Sequence, residues 1–203
     1  MDRTIIGAVL AGGRGRRFGG QDKALLSLND RPLHDWVISS LKPQVTSLCV
    51  VAPQTPSWSK NYKDLTFISD LDATDKPIGP AGALLSVLKT YSDKPDALIV
   101  TATIDAPFLP PDFVSKLSSE MRAGDSAILP LVNGRLQPAF GLWRSSVASE
   151  VAKCVEENDY ALHIIAERIG ARVLELQDDR HGFFNINSPD DLEEAERVAK
   201  SMN

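Results

Sequence analysis

The chain has 203 residues, 43% hydrophobic and 24% charged, with a formal net charge of −5, as in an ordinary water-soluble globular protein. The acidic balance argues against general nucleic-acid binding, and no apolar run reaches the length of a membrane span. The length suits one domain over residues 1–203 and is short for two.

Ile5–Leu10 reads as a buried β-strand. It runs straight into the segment Leu10 to Lys23, which is crowded with glycine and basic residues, so the chain start does not read as a signal peptide and a cytoplasmic protein is expected. Pro32–Leu41 is helix-patterned, Leu48–Ala52 and Leu65–Ile68 are strand-length apolar runs, and Pro80–Thr90 is a helix with a broad apolar face. A strand follows over Ala97–Thr101, extending to Thr103, and Pro110-Pro111 opens another helix. Ser126–Val132 and Leu136–Trp143 flank Asn133-Gly134, a hairpin signal that adds antiparallel strands. A helical region over about Ser146 to Arg168 and a short strand near Val173 come next. Ser188-Pro189-Asp190-Asp191 supplies an N-cap, a first-turn proline and an acidic capping partner for a final helix. Strand–helix alternation of this kind predicts an α/β fold with a mostly parallel sheet and an added antiparallel hairpin.

Ligands of such sheets bind outside the carboxyl ends of the strands, and several unusual residues fall at those ends. The first is the glycine loop, Leu10, Ala11, Gly12 and Gly13 through Arg17 to Lys23. Its glycines let backbone N–H groups approach a ligand, and its cations suit a polyphosphate. It lacks the Gly-Lys-Ser/Thr ending of a Walker A loop, and Phe18 breaks the glycine spacing of a dinucleotide fingerprint, which sets a nicotinamide enzyme aside. Residues 1–32 carry six basic against three acidic side chains, a net of +3, so the rest of the chain carries −8. A positive focus on an acidic body suits capture of a small anion.

Asp105 ends the Ala97–Thr103 strand just before Pro107-Phe108. Facing a polyphosphate, it is a natural Mg²⁺ ligand; taken alone it reads equally as a turn-capping aspartate. Asn185 and Asn187 alternate with Ile186 and project to one side, to complete a metal shell, to hold an acceptor phosphate, or to satisfy backbone groups before the last helix. Asp70 opens an aspartate-rich loop with Asp72 and Asp75. It is either solvated or suited to accept from N1–H and N2–H of guanine, an edge that cytosine and uracil lack. His34, His163 and His181 have no nucleophilic partner or ligand spacing and are read as helix-surface or loop residues, and Cys49 and Cys154 are read as buried free thiols.

Read together, these segments resemble the molybdenum cofactor guanylyltransferases, within the wider superfamily of Mg²⁺-dependent nucleotidyltransferases. The family's Leu-Ala-Gly-Gly-x-x-x-Arg-x-Gly-Gly-x-Asp-Lys opening is met by Leu10 to Lys23, its Gly-Pro by Gly79-Pro80, and its Asp-x-Pro-Phe by Asp105 to Phe108. Its closing Phe-x-Asn-x-Asn-Thr-Pro-x-Asp-Leu is similar to Phe183 to Leu192. The resemblance implies a Rossmann-like three-layer nucleotidyltransferase domain. It implies GTP contacts from Leu10, Ala11, Gly12, Gly13, Lys23, Asp70 and Gly79, a phosphate arginine at Arg17, Mg²⁺ at Asp105, and Asn185 and Asn187 within the site as acceptor or second metal contacts. The chain departs from the family after the second strand, where an asparagine is frequent and this chain has Val51-Ala52-Pro53, and at Gly79-Pro80-Ala81-Gly82-Ala83, where Gly-Pro-Leu-Ala-Gly is usual.

The implied reaction moves GMP from GTP to the terminal phosphate of molybdopterin, with or without bound molybdenum, and the protein would meet other molybdenum cofactor biosynthesis proteins. Two alternatives stay open: transfer with another base or acceptor, as in a cytidylyltransferase or a sugar-phosphate enzyme, and a non-catalytic nucleotide-binding module. No short motif marks a pterin pocket; Gln137-Pro138 and Trp143 are candidates to line one, or hairpin and core residues.

Overall fold

Ile5–Leu10 forms β1, a continuous apolar run covered on both faces, as a central parallel strand must be. The computed structural model describes residues 4–12, 16–71, 78–177 and 181–202. After β1 come a short ribbon, β2 (Ser27–Leu28) and β3 (Arg31–Pro32), and helix α1 (Leu33–Leu41). β4 (Ser47–Ala52), β5 (Thr66–Ser69), α2 (Pro80–Thr90), β6 (Leu98–Thr103) and α3 (Phe113–Glu120) follow. β7 (Ala127–Val132), β8 (Arg135–Leu136), β9 (Leu142–Arg144), α4 (Ala148–Glu156) and α5 (Leu162–Arg168) lead to β10 (Arg172–Leu176) and α6 (Pro189–Ser201).

The main sheet runs β10-β7-β9-β6-β1-β4-β5, with β8 paired to β7 alone. β1 pairs in parallel with β4 and β6, β4 with β5, and β7 with β10, whereas β9 is antiparallel to both of its neighbours. Alternate residues of each strand serve opposite faces. Ile6, Ala8 and Leu10 of β1 pack with α2, α4 and α5, while Val9 joins α1 and α3. The result is the predicted three-layer α/β arrangement. A third cluster fastens α6 to the rest, Ala195, Val198 and Ala199 packing on Leu26, Leu28, Leu33 and Ile186.

The second half departs from the predicted hairpin. Asn133 and Gly134 make the turn with positive φ at both positions, but the returning arm pairs for only two residues, Arg135 and Leu136. Pro138 then opens a 3-10 turn, Pro138–Phe140, because it has no N–H to continue the ladder. Leu142–Arg144 re-enters between β6 and β7, where the buried Thr101 hydroxyl lies within hydrogen-bond distance of the Gly141 N and of Trp143 Nε1. Trp143 is fully buried there; its expected alternative as a pocket wall is thereby corrected. The predicted helical region Ser146 to Arg168 divides into α4 and α5 around Asn158, whose φ is +67°. Both cysteines are buried free thiols as expected, and burial pushes the Cys49 thiol up to about 12. No helix among the described residues is long and apolar enough to cross a membrane.

Candidate active site

From β1 the chain crosses to β4 and β5 on one side, and then to β6 on the other. That reversal opens a crevice at the carboxyl ends of β1 and β6. Leu10 ends one wall, its carbonyl accepting from the Ile104 N–H at 3.1 Å, so the glycine loop and the Asp105 turn are held side by side by backbone.

Three side chains from distant parts of the sequence meet in the crevice. Lys23 Nζ donates to Asp105 Oδ2 at 2.8 Å and to Asn187 Oδ1 at 2.7 Å. Each partner is positioned by its own local structure. Lys23 starts a 3-10 turn capped by Asp22, whose Oδ1 accepts from the Ala24 N–H at 3.0 Å. The Asp105 carbonyl accepts from the Ile186 N–H at 2.9 Å, tying the closing segment to the end of β6. The Asn187 N–H donates to Asp191 Oδ2 at 2.8 Å, while Ser188 Oγ caps the Asp191 N–H. Asn185 is fixed separately, accepting from Thr103 Oγ1 at 3.1 Å.

Arg17 lies outside this knot, exposed on the 3-10 turn Arg16–Phe18. Its charge reaches the first turn of α6: the Asp191 carboxyl is held below its ordinary range chiefly by the Asn187 N–H, then by Ser188, with Arg17 adding attraction. Thr103, Asp22 and Asp191 are positioning residues that the sequence did not mark as part of the site. Asp191 was legible as a cap, but not as the group that holds Asn187.

Asp70 is 4% exposed, so its alternative as a solvated loop residue fails. Its carboxylate is wedged between the glycine loop and the first turn of α2. Oδ2 lies 3.5 Å from where a Cβ on Gly12 would stand, and Oδ1 lies 3.0 Å from one on Gly82. Any side chain at Gly82 would press on that oxygen. Gly79 caps α2 at a φ of +65°, a conformation that favours glycine. Gly13, Asp72 and Asp75 lie outside the described residues. A cleft of about 510 Å³ opens beside the loop, lined in part by Ala11, Gln21, Pro53 and Trp58.

His34 is buried rather than on a helix surface, its ring stacked on Trp58 with centroids 4.3 Å apart. His163 is exposed on α5, and His181 is exposed in the segment before Phe183.

The donor set fits a hard divalent cation. Asp105 offers a carboxylate, and Asn185 and Asn187 offer amide oxygens nearby. The Lys23 ammonium already sits between the Asp105 and Asn187 oxygens, where positive charge is accepted. Among the described residues no group of three or more His, Cys, Asp or Glu side chains forms a cage.

A switch-point crevice with a glycine loop, a lysine and a strand-end aspartate defines an α/β protein of the nucleotidyltransferase class. Residues 7–173 match the MobA-like NTP transferase domain. The chain is 35% identical to a molybdenum cofactor guanylyltransferase of Cereibacter sphaeroides, over 97% of each chain. It is 34% identical to one of Mesorhizobium japonicum, over 100% of this chain and 99% of the relative. The structure matches that of molybdopterin-guanine dinucleotide biosynthesis protein A from Archaeoglobus fulgidus with a TM-score of 0.78 and 26% identity, covering 97% of this chain and 100% of that one. A 4-diphosphocytidyl-2C-methyl-D-erythritol synthase matches at a TM-score of 0.75 and 12% identity, covering 98% and 99%; this is a likeness of fold alone. The chain belongs to the MobA-like NTP transferase family.

Proposed function

We propose that this protein, acting as one domain in the cytoplasm, transfers GMP from GTP to the terminal phosphate of molybdopterin, with or without bound molybdenum. An oxygen of the acceptor phosphate attacks the α-phosphorus, the bond to the bridging α–β oxygen breaks, and pyrophosphate leaves with that electron pair. The observation that carries the reading is the meeting of Lys23, Asp105 and Asn187 beside the glycine loop. Near-full-length relatives named as guanylyltransferases support the guanylyl assignment.

The chemistry asks for positioning and charge neutralisation more than for a base. A phosphate monoester has a second pKa of about 6 and is largely dianionic near neutral pH, so it attacks without surrendering a proton to the protein. The loop backbone of Leu10, Ala11, Gly12 and Gly13 cradles the nucleotide, and Arg17 and Lys23 hold the phosphates and the departing pyrophosphate. Asp70 accepts from N1–H and N2–H of guanine at the floor between Gly12 and Gly79–Gly82. Mg²⁺, held by Asp105 with Asn185 and Asn187 at hand, would supply Lewis-acid stabilisation of α-phosphate charge. The product then passes to other molybdenum cofactor biosynthesis proteins.

The test is incubation with GTP, Mg²⁺ and molybdopterin, followed by mass detection of the guanine dinucleotide, with CTP in a parallel reaction. Dinucleotide from GTP and little from CTP is expected. Product from CTP alone would overturn the base assignment.

A further inference from the structure

Asp70 can select a base only if its carboxylate keeps one direction, and the residues that set this direction lie behind it. On one side its backbone is tied to β4, the Asp70 N–H donating to the Ala52 carbonyl at 2.9 Å. On the other it is tied to the helix layer: the Leu71 N–H donates to Ser86 Oγ of α2 at 2.9 Å. Both peptide units that flank the Asp70 Cα are therefore held, and with them the course of its side chain.

Ser86 stands out within its helix. Residues Ala81 to Leu88 of α2 are all buried, and Ser86 is the one among them whose side chain ends in a polar group. A buried hydroxyl is tolerated where it is bonded. This one is used twice, accepting from Leu71 and donating to the Gly82 carbonyl at 2.9 Å. A serine that merely closed onto its own helix would make the donated bond alone; Thr90 makes a bond of that kind to the Ser86 carbonyl, at 2.8 Å. The bond accepted from outside the helix ties Ser86 to the Asp70 turn. Gly82 lies one turn earlier on the same face, and a Cβ there would stand 3.0 Å from Asp70 Oδ1. Helix α2 thus meets the turn at two points. A hydroxyl holds the backbone, and a missing side chain gives the carboxylate room.

We propose that Ser86, with Gly82 a turn before it, is the positioning residue that aims Asp70 at the paired N–H groups of the guanine edge and so sets base selectivity. This rests on the guanylyl-transfer reading above, in which Asp70 accepts from both of those groups. Ser86 acts only through the carboxylate. Without its hydroxyl the Leu71 N–H loses this acceptor and the turn loosens. The paired contact to the base then suffers more than the phosphate contacts, which come from the glycine loop and Lys23.

The experiment measures the Kd of Mg·GTP and of Mg·ITP by titration calorimetry on wild type, Ser86→Ala and Gly82→Ala. Inosine keeps N1–H but lacks the 2-amino group, so it presents only half of the edge. Wild type should prefer GTP by about tenfold, the worth of one hydrogen bond to a charged acceptor. Each variant should bind GTP about tenfold more weakly while ITP stays within about threefold of wild type, so that the preference collapses. A preference that survives Ser86→Ala overturns the proposal. So does an equal weakening of both nucleotides, which would assign the serine to the fold alone. If Ser86→Ala does not fold, Gly82→Ala decides the matter by the same ratio. Wild type that binds GTP and ITP equally would defeat the reading of Asp70 itself, and the proposal with it.

Discussion

Two polar clusters of the molecule are built on opposite principles. Lys23, Asp105 and Asn187 are distant in sequence and meet at the mouth of a crevice. Arg31, His34, Asp35 and Tyr62 form the other cluster, largely within one turn of α1 and its approach. There the Tyr62 hydroxyl donates to Asp35 Oδ1 at 2.8 Å, and His34 Nδ1 meets the same hydroxyl at 3.0 Å, so the imidazole is the donor of that pair. Arg31 closes on Asp35, and its guanidinium lies 5.0 Å from the centre of the Trp36 ring. The α1 cluster satisfies itself and ends under stacked rings. The crevice cluster gathers oxygen atoms around one ammonium and leaves lone pairs for something else. Charged groups alone mark neither as a site; what separates them is whether the network is closed.

The contrast breaks most sharply at Asp105. Asp105→Ala should lower transfer by about a thousandfold, since it removes the proposed metal ligand and the partner of Lys23 together, with little loss in thermal unfolding. Lys23→Ala should cost about tenfold to a hundredfold in turnover, the worth of a charge-assisted bond. Retention of wild-type rates by Asp105→Ala in the presence of magnesium would remove the crevice cluster from the chemistry.

The α1 cluster should respond in the other currency. Tyr62→Phe is expected to cost about 1 kcal/mol in denaturant unfolding, discounted because Asp35 stays partly open to water, and to leave transfer rates unchanged. The smallest effect concerns pH. Burial holds the His34 pKa below its ordinary value, with Asp35 and Asp22 opposing. The unfolded chain therefore binds the proton more readily, so this contribution is fully present above the ordinary histidine value of about 6.5 and is lost as pH falls through the lower folded value. His34→Phe should flatten the loss of stability between pH 7 and pH 5; an unaltered slope would show that His34 is not its source.

The sequence was most legible where local pattern decides structure. Ile5–Leu10 and Pro80–Thr90 have the boundaries expected of them, because each is an apolar run punctuated by glycine or proline. The Asn133-Gly134 turn was equally readable, but the destination of the next arm was not. Leu142–Arg144 leaves the hairpin for a slot beside β6, a choice made by long-range pairing and by Thr101 rather than by periodicity. The site divides in the same way. Asp105, Asn185 and Asn187 announced themselves as polar residues at strand ends, and the glycine loop by composition. The seat of the Lys23 ammonium between two of them is a tertiary fact. The burial of His34 against Trp58 and Tyr62 had no sequence signal either, since those rings come from an irregular stretch whose packing partner only the fold specifies.

The most direct measurement is a crystal structure with magnesium and a GTP analogue that resists cleavage between the α- and β-phosphates. The expected result is a triphosphate laid along the loop after β1, its α-phosphate beside Asp105, with Lys23 turned from the carboxylate onto phosphate oxygens and the guanine edge on Asp70. A nucleotide seated elsewhere, with Lys23 still bound to Asp105 and Asn187, would contradict the assignment of this crevice as the reactive centre.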